Sequence, residues 1–173
     1  AKNPILSLGN LGSFDEYGIY PTSVIEHGNE YYAYYGGWTR CESVPFNVAI
    51  GLAISRDNGK AFYRLGEGPV LSYSVDEPFV ISGPKIRRYN DTWYLWYIAG
   101  KKWIVENGRP EPVYRIRMAT SEDGIHWDKI NKDLIAPRIE ANEAQASPDV
   151  FFFNNTYHMF FCYRYSTNYR MND

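Results

Sequence analysis

Apolar and polar positions along the chain fall into short runs separated by turn-forming residues. Three stretches share one pattern: YPTSVIEHGNEYYAYYGG from Tyr20, GPKIRRYNDTWYLWYIAG from Gly83 and SPDVFFFNNTYHMFFCYR from Ser147. Each passes a proline, runs through a strand-like segment, turns, and enters an aromatic run. Pro21, Pro84 and Pro148 stand 63 and 64 residues apart. The turns Gly28-Asn29, Asn90-Asp91 and Asn154-Asn155 sit at matching places. Gly and Asn tolerate the positive φ that two-residue hairpins demand. The aromatic runs at 31–35, 93–97 and 157–161 then supply residues that suit a pleated, half-buried surface.

A second hairpin follows the first two stretches. AIGLAISRDNGKAFYRL from Ala49 aligns with RIRMATSEDGIHWDKI from Arg115, with turns at Asn58-Gly59 and Asp123-Gly124. Ala53 and Ser55 match Ala119 and Ser121 at a spacing of 66, and Phe62 matches Trp127 at 65. Hairpin plus hairpin makes a four-stranded unit, and a recurrent unit of this kind reads as a propeller blade. The fold class predicted is all-β: one partial β-propeller domain over residues 1–173. It holds a blade at 13–66, a blade at 77–131 and a half blade at 141–170. The aromatic runs are expected to pack blade against blade. The opening Asn3-Pro4-Ile5-Leu6 matches the linker Gly68-Pro69-Val70-Leu71 that leaves the first blade. A β-sandwich also shows short, evenly spaced strands, but it needs no repeat in register. A helical reading fails, because the runs lack helical apolar spacing.

Propellers close with four to eight blades, and open edges invite pairing. Two and a half blades are therefore expected to be completed, either as part of a longer protein or by a second copy. A homodimer joining two and a half blades to two and a half would make five.

Composition narrows the chemistry. The 173 residues are 45% hydrophobic, 22% charged and 17% aromatic, with 16 Tyr and a net charge of −2. That balance gives no reason to expect nucleic acid or an anionic membrane as partner. No apolar run approaches the roughly 20 residues of a membrane span, and no signal peptide is visible, so localisation is left unassigned. Cys41 and Cys162 lack redox or zinc spacing, and no pair among His27, His126 and His158 has metal-ligand spacing. Neither metal nor cofactor is expected, and the histidines read as structural.

The strand starts Gly83-Pro84-Lys85-Ile86 and Ser147-Pro148-Asp149-Val150, with the hairpin Ser121-Glu122-Asp123-Gly124-Ile125-His126-Trp127, resemble the five-bladed propellers of the arabinanase, levansucrase and invertase superfamily. That group holds glycoside hydrolase families 43, 32 and 130, and the resemblance covers nearly the whole chain. It implies an oligo- or polysaccharide as partner and paired carboxylates in a funnel. Ser55-Arg56-Asp57-Asn58-Gly59-Lys60-Ala61-Phe62 also resembles the Asp-box of sialidases, a structural turn, so Asp57 and Asp123 read as turn residues. The chain departs from family 43 at one point. Where that family has a catalytic Asp before the blade-opening Pro, this chain has Tyr20, Gly83 and Ser147.

In a propeller the first strand of each blade lines the channel. The segments entering first strands and leaving second strands form one channel mouth. These segments are rich in acids. Asp15, Glu16, Asp76, Glu77 and Glu143 are the candidate catalytic carboxylates, with Asp149 as a pKa-tuning neighbour. Glu42, Glu106, Glu111 and Glu140 share the mouth segments. Trp38, Arg40, Lys85, Trp103, Arg109, Tyr114, Arg164 and Tyr169 are the candidate substrate-binding residues, aromatic faces for sugar C–H faces and cations for acidic groups. The functions in view are a glycosidase or glycoside phosphorylase, a non-catalytic carbohydrate-binding or interaction propeller, and an inactive fragment.

Overall fold

The computed structural model describes residues 4–166. Its ten strands are β1 (Gly18–His27), β2 (Glu30–Thr39), β3 (Asn47–Ser55), β4 (Tyr63–Arg64), β5 (Phe79–Tyr89), β6 (Thr92–Glu106), β7 (Arg109–Ser121), β8 (Asp128–Lys129), β9 (Ala144–Phe153) and β10 (Thr156–Arg164). They form two antiparallel four-stranded sheets, β1-β2-β3-β4 and β5-β6-β7-β8, and a two-stranded sheet of β9 and β10. The architecture is an all-β partial propeller. Asn90, Asn154 and Asn155 take positive φ in the first-hairpin turns, as does Gly28.

The second-hairpin turns are tied by their aspartates. Asp57 Oδ1 accepts from Ser55 Oγ at 2.8 Å and from the amides of Lys60 and Ala61 at 3.0 Å each. Asp123 Oδ1 accepts from Ser121 Oγ at 3.0 Å and from the amides of Ile125 and His126 at 2.7 and 2.8 Å. Hydrogen bonds, led by that from the His126 ring, hold the Asp123 carboxyl well below its ordinary value.

Blade packs on blade through the aromatic second strands. Tyr32, Tyr34, Trp93, Leu95 and Tyr97 share one buried cluster with Ile50, Ile81 and Ile86. Tyr32 stacks on Trp93 at 5.8 Å, and His27 meets Trp93 edge-on at 5.0 Å. Tyr34 donates across the interface to the Gly124 carbonyl at 2.7 Å. The first strands are also stitched together: the Ile86 amide donates to Ser23 Oγ at 3.1 Å and Arg87 Nε to the Val150 carbonyl at 3.1 Å.

The third aromatic run departs from the expected packing. Tyr157, Phe160 and Tyr163 of β10 are 56%, 71% and 59% exposed, whereas their counterparts in β2 and β6 are largely buried. The reason is geometric. β10 has neither a third strand on its edge nor a further blade on its face among the described residues.

Candidate functional site

Irregularities in the first strands shape two clefts. The pairing register slips between Pro21 and Ser23, twice in β5 (Phe79/Ile81 and Ser82/Lys85), and opposite Phe160/Cys162 in β9. Val80 (φ 40°), Gly83 (φ 58°) and Ser147 (φ 53°) sit at these slips. Positive φ is easy for Gly83, but for Val80 and Ser147 it stores strain of about 1–3 kcal/mol each. Bulges re-aim side chains and concentrate near active sites.

All three bulge residues line clefts. A cavity of about 420 Å³ is bounded by Tyr20, Gly83, Pro84, Lys85, Ser147, Pro148 and Asp149. A second, of about 240 Å³, is bounded by Tyr20, Trp38, Phe46, Val80, Glu111, Tyr114 and Arg164. Tyr20 and Ile98 belong to both, so the clefts adjoin.

Asp149 is the acid of the first cleft. Lys85 approaches its Oδ2 at 3.0 Å and Arg87 its Oδ1 at 2.7 Å, and the carboxylate is 49% exposed. Lys85 and Asp149 each follow the proline of their own blade, so the pair joins equivalent positions of adjacent first strands. Arg87 lies two residues beyond Lys85, on the same face by strand alternation. Tyr20 hydrogen-bonds to Ser82 Oγ. Burial pushes the Tyr20 hydroxyl above its ordinary value, and a hydrogen bond with the Gly83 backbone opposes the rise in part.

In the second cleft Trp38 packs on Phe46 at 4.5 Å and edge-on to Tyr20 at 5.9 Å. Arg164 lies 5.5 Å from the Tyr114 ring centre, with its Nε 3.4 Å from the Tyr114 hydroxyl. Glu111, buried, shares this wall.

The other candidate acids are not brought to these clefts. Asp15 is fully buried. Its Oδ1 accepts from Ser13 Oγ at 2.9 Å, and its Oδ2 accepts from Tyr35 Oη at 3.0 Å and meets Arg64 Nη2 at 2.7 Å. Glu77 repeats this arrangement one blade on, with Tyr97 Oη at 2.8 Å, Arg117 Nη1 at 3.1 Å and Lys129 Nζ at 2.5 Å. Tyr35 and Tyr97 correspondingly have hydroxyls raised first by burial, then by the neighbouring carboxylate. Glu143, also buried, accepts from the amides of Arg138 and Ile139 at 2.7 and 3.0 Å and from Gln145 Nε2 at 2.7 Å. Glu16 closes a turn on the Gly12 amide at 2.6 Å, and Asp76 is exposed, its carbonyl accepting from Arg117.

Among the binding candidates, Trp38, Lys85, Tyr114 and Arg164 line the clefts, while Arg40, Trp103 and Arg109 do not. Arg40 lies over Tyr17 at 4.9 Å, Trp103 packs edge-on to Phe46 at 5.5 Å, and Arg109 is exposed beside the β6–β7 turn. Tyr169 lies outside the described residues. Tyr20, Ser82 and Arg87 were not candidates in the sequence. Arg87 was accessible to strand alternation from Lys85, and Tyr20 to its place directly before a blade-opening proline.

No protein-family model matches the chain. An uncharacterised protein of Mycobacterium tuberculosis, found in strains CDC 1551 and H37Rv, is 34% identical over 161 residues. The match takes in 93% of this chain and 53% of that protein, so the chain spans about half the length of the curated relatives it matches. Among solved structures, a glycoside hydrolase superposes with TM-score 0.73 at 18% identity, over 94% of this chain and 47% of that one. The GH32 β-fructofuranosidase of Bombyx mori gives 0.62 at 22%, over 80% and 28%. The sucrose-6-phosphate hydrolase of Lactobacillus gasseri gives 0.67 at 15%, over 86% and 28%. The chain has the fold of the β-propeller glycoside hydrolases.

Proposed function

We propose that the adjoining clefts form a carbohydrate site of the glycoside hydrolase type, with Asp149 and Glu111 as the acids flanking the bound sugar. The observation that carries this reading is the convergence of Tyr20, Lys85 and Asp149, from the first strands of three sheets, on a cleft walled by the bulges at Gly83 and Ser147. Aromatic rings at Tyr20, Trp38 and Tyr114 offer faces for sugar C–H groups. Lys85 and Arg164 donate to hydroxyls, and Asp149 accepts from them. Hydrolysis needs two carboxyl groups across the scissile bond, at roughly 5–5.5 Å for retention or 6.5–9.5 Å for inversion. Asp149 and Glu111 are the acids on these walls, and they come from different blades. Asp149, oriented by Lys85 and Arg87, serves as the nucleophile or as the base that activates water. Glu111 serves as the proton donor.

A binding-only reading is favoured by one observation. Asp15, Glu77 and Glu143, acids at repeated blade positions, have their oxygens engaged by protein donors within the fold. Calorimetry against an oligosaccharide panel, with chromatography of the products, separates the two readings. The hydrolase reading expects binding and bond cleavage, with Glu111→Gln abolishing cleavage while leaving binding. Binding without products leaves the site as a carbohydrate-binding cleft. Binding that survives Asp149→Ala and Lys85→Met unchanged places the ligand elsewhere and ends both readings.

A further inference from the structure

The two complete blades share a device that the third begins and does not finish. In each, a fully buried acid before the first strand meets a basic residue on the short fourth strand: Asp15 with Arg64 on β4, Glu77 with Lys129 on β8. Glu143 is the third acid and is also buried. Its hydrogen-bond donors are neutral: Gln145 and the amides of Arg138 and Ile139. Arg115 favours its charge from a longer distance, while the Arg115 guanidinium itself donates to the carbonyls of Tyr114 and Ala141.

Next to Glu143 lies a cavity of about 550 Å³, with Leu134, Ile135, Met159, Phe161 and Tyr163 on its walls and Arg138 the charged residue beside the acid. By strand register Phe161 stands where Tyr35 and Tyr97 stand. The acid is therefore seated beside a largely apolar groove, along the edge where β10 has no third strand among the described residues.

We propose that this edge and groove dock a two-stranded hairpin whose second strand carries Lys or Arg, and that this cation pairs with Glu143 as Arg64 and Lys129 pair with their own acids. The hairpin comes from polypeptide outside these 173 residues rather than from a second copy. Both outer hairpins of this chain, β3–β4 and β7–β8, are already hydrogen-bonded into their own blades. The β9–β10 hairpin of a second copy is unpartnered among the described residues, but docked through its β10 edge it would set β9 outermost, and Ala144–Phe153 carries no Lys or Arg to meet Glu143. The curated relatives, about half of whose length the chain spans, have residues enough to encode one.

The test extends the full chain at its C-terminus with a copy of residues 107–131, which carries the β7–β8 hairpin and Lys129. The fusion is expected to lose binding of a hydrophobic dye, to protect the β10 amides from hydrogen exchange, and to lower the titration midpoint of the Glu143 carboxyl by roughly one to three pH units. Because Arg117 of the copied segment also meets its acid, a fusion carrying Arg117→Met in the copy should keep all three effects, and one carrying Arg117→Met with Lys129→Met in the copy should keep the first two and lose the third. An unchanged midpoint in the unaltered fusion would overturn the ionic pairing. Unchanged dye binding and exchange would overturn the docking. Native mass and exchange on the unextended protein need no new hairpin to fold. A monomer with rapidly exchanging β10 amides supports the proposal, and a dimer with β10 protected makes the second copy the occupant and overturns it.

Discussion

Replacing Arg64 by Met tests the buried acid–cation pairs by asking how two similar sites respond to the same loss. Asp15 is fully buried, and Arg64, largely buried, is the cation paired with it. Without Arg64, the donors named above for Asp15 are the hydroxyls of Ser13 and Tyr35. Breaking a buried pair from one side costs about 3–5 kcal/mol, because the remaining charge is left uncompensated. Glu77 differs, since Arg117 stays at 3.1 Å when Lys129 is removed. Lys129→Met then removes one ion-pair partner from a carboxylate that keeps a counter-charge, together with the charged hydrogen bond that Lys129 donates to the Ser72 carbonyl, at about 1.5–3 kcal/mol. For a chain of this size each kcal/mol moves Tm by about 2–4 °C. Thermal and urea unfolding should therefore show Arg64→Met lowering Tm by about 6–20 °C, and Lys129→Met by about 3–12 °C. The double replacement Asp15→Leu with Arg64→Met should recover most of the loss, since apolar groups of similar volume substitute for an ion pair at little cost. Equal losses at the two sites, or a loss below about 1 kcal/mol at Arg64, would refute the reasoning.

Trp93→Ala, in the centre of the interface between the first two blades, should cost about 3–5 kcal/mol by urea unfolding. Tyr34→Phe leaves the Gly124 carbonyl without its cross-blade donor and should cost about 1–3 kcal/mol. Burial pushes the Glu143 carboxyl up, but hydrogen bonds from Gln145 and two amides, with the Arg115 charge, hold it below its ordinary 4.5. A depressed folded-state pKa gives stability that is present above the unfolded value and is lost as pH falls through the folded one. Glu143→Gln should accordingly flatten the acid limb of a stability–pH profile below about pH 4.5, while leaving its neutral plateau sloped as before.

The propeller was legible in the sequence because its signals are local. Asn and Gly at the turns, the aromatic alternation and the proline spacing each need only neighbouring residues to be read. The site was less legible because its partners are distant. Asp15 and Glu77 sit in mouth segments, as the repeat implies, but the cation that takes Asp15 out of reach is 49 residues further on. Asp149 emerged from its place after Pro148, while the two cations that hold it come from the preceding blade. The third aromatic run shows the same limit. Residues 157–161 read like 31–35 and 93–97, yet their exposure is decided by strands and blades that the run itself does not encode.

Chemical-shift mapping of the 173-residue protein, titrated with a panel of oligosaccharides, tests the carbohydrate site most directly. At least one sugar should move the resonances of Tyr20, Lys85, Tyr114, Asp149 and Arg164 together in a saturable way, and the Asp149→Ala variant should lose that response. A panel that leaves all five unmoved, or that shifts residues away from the two clefts, would contradict it.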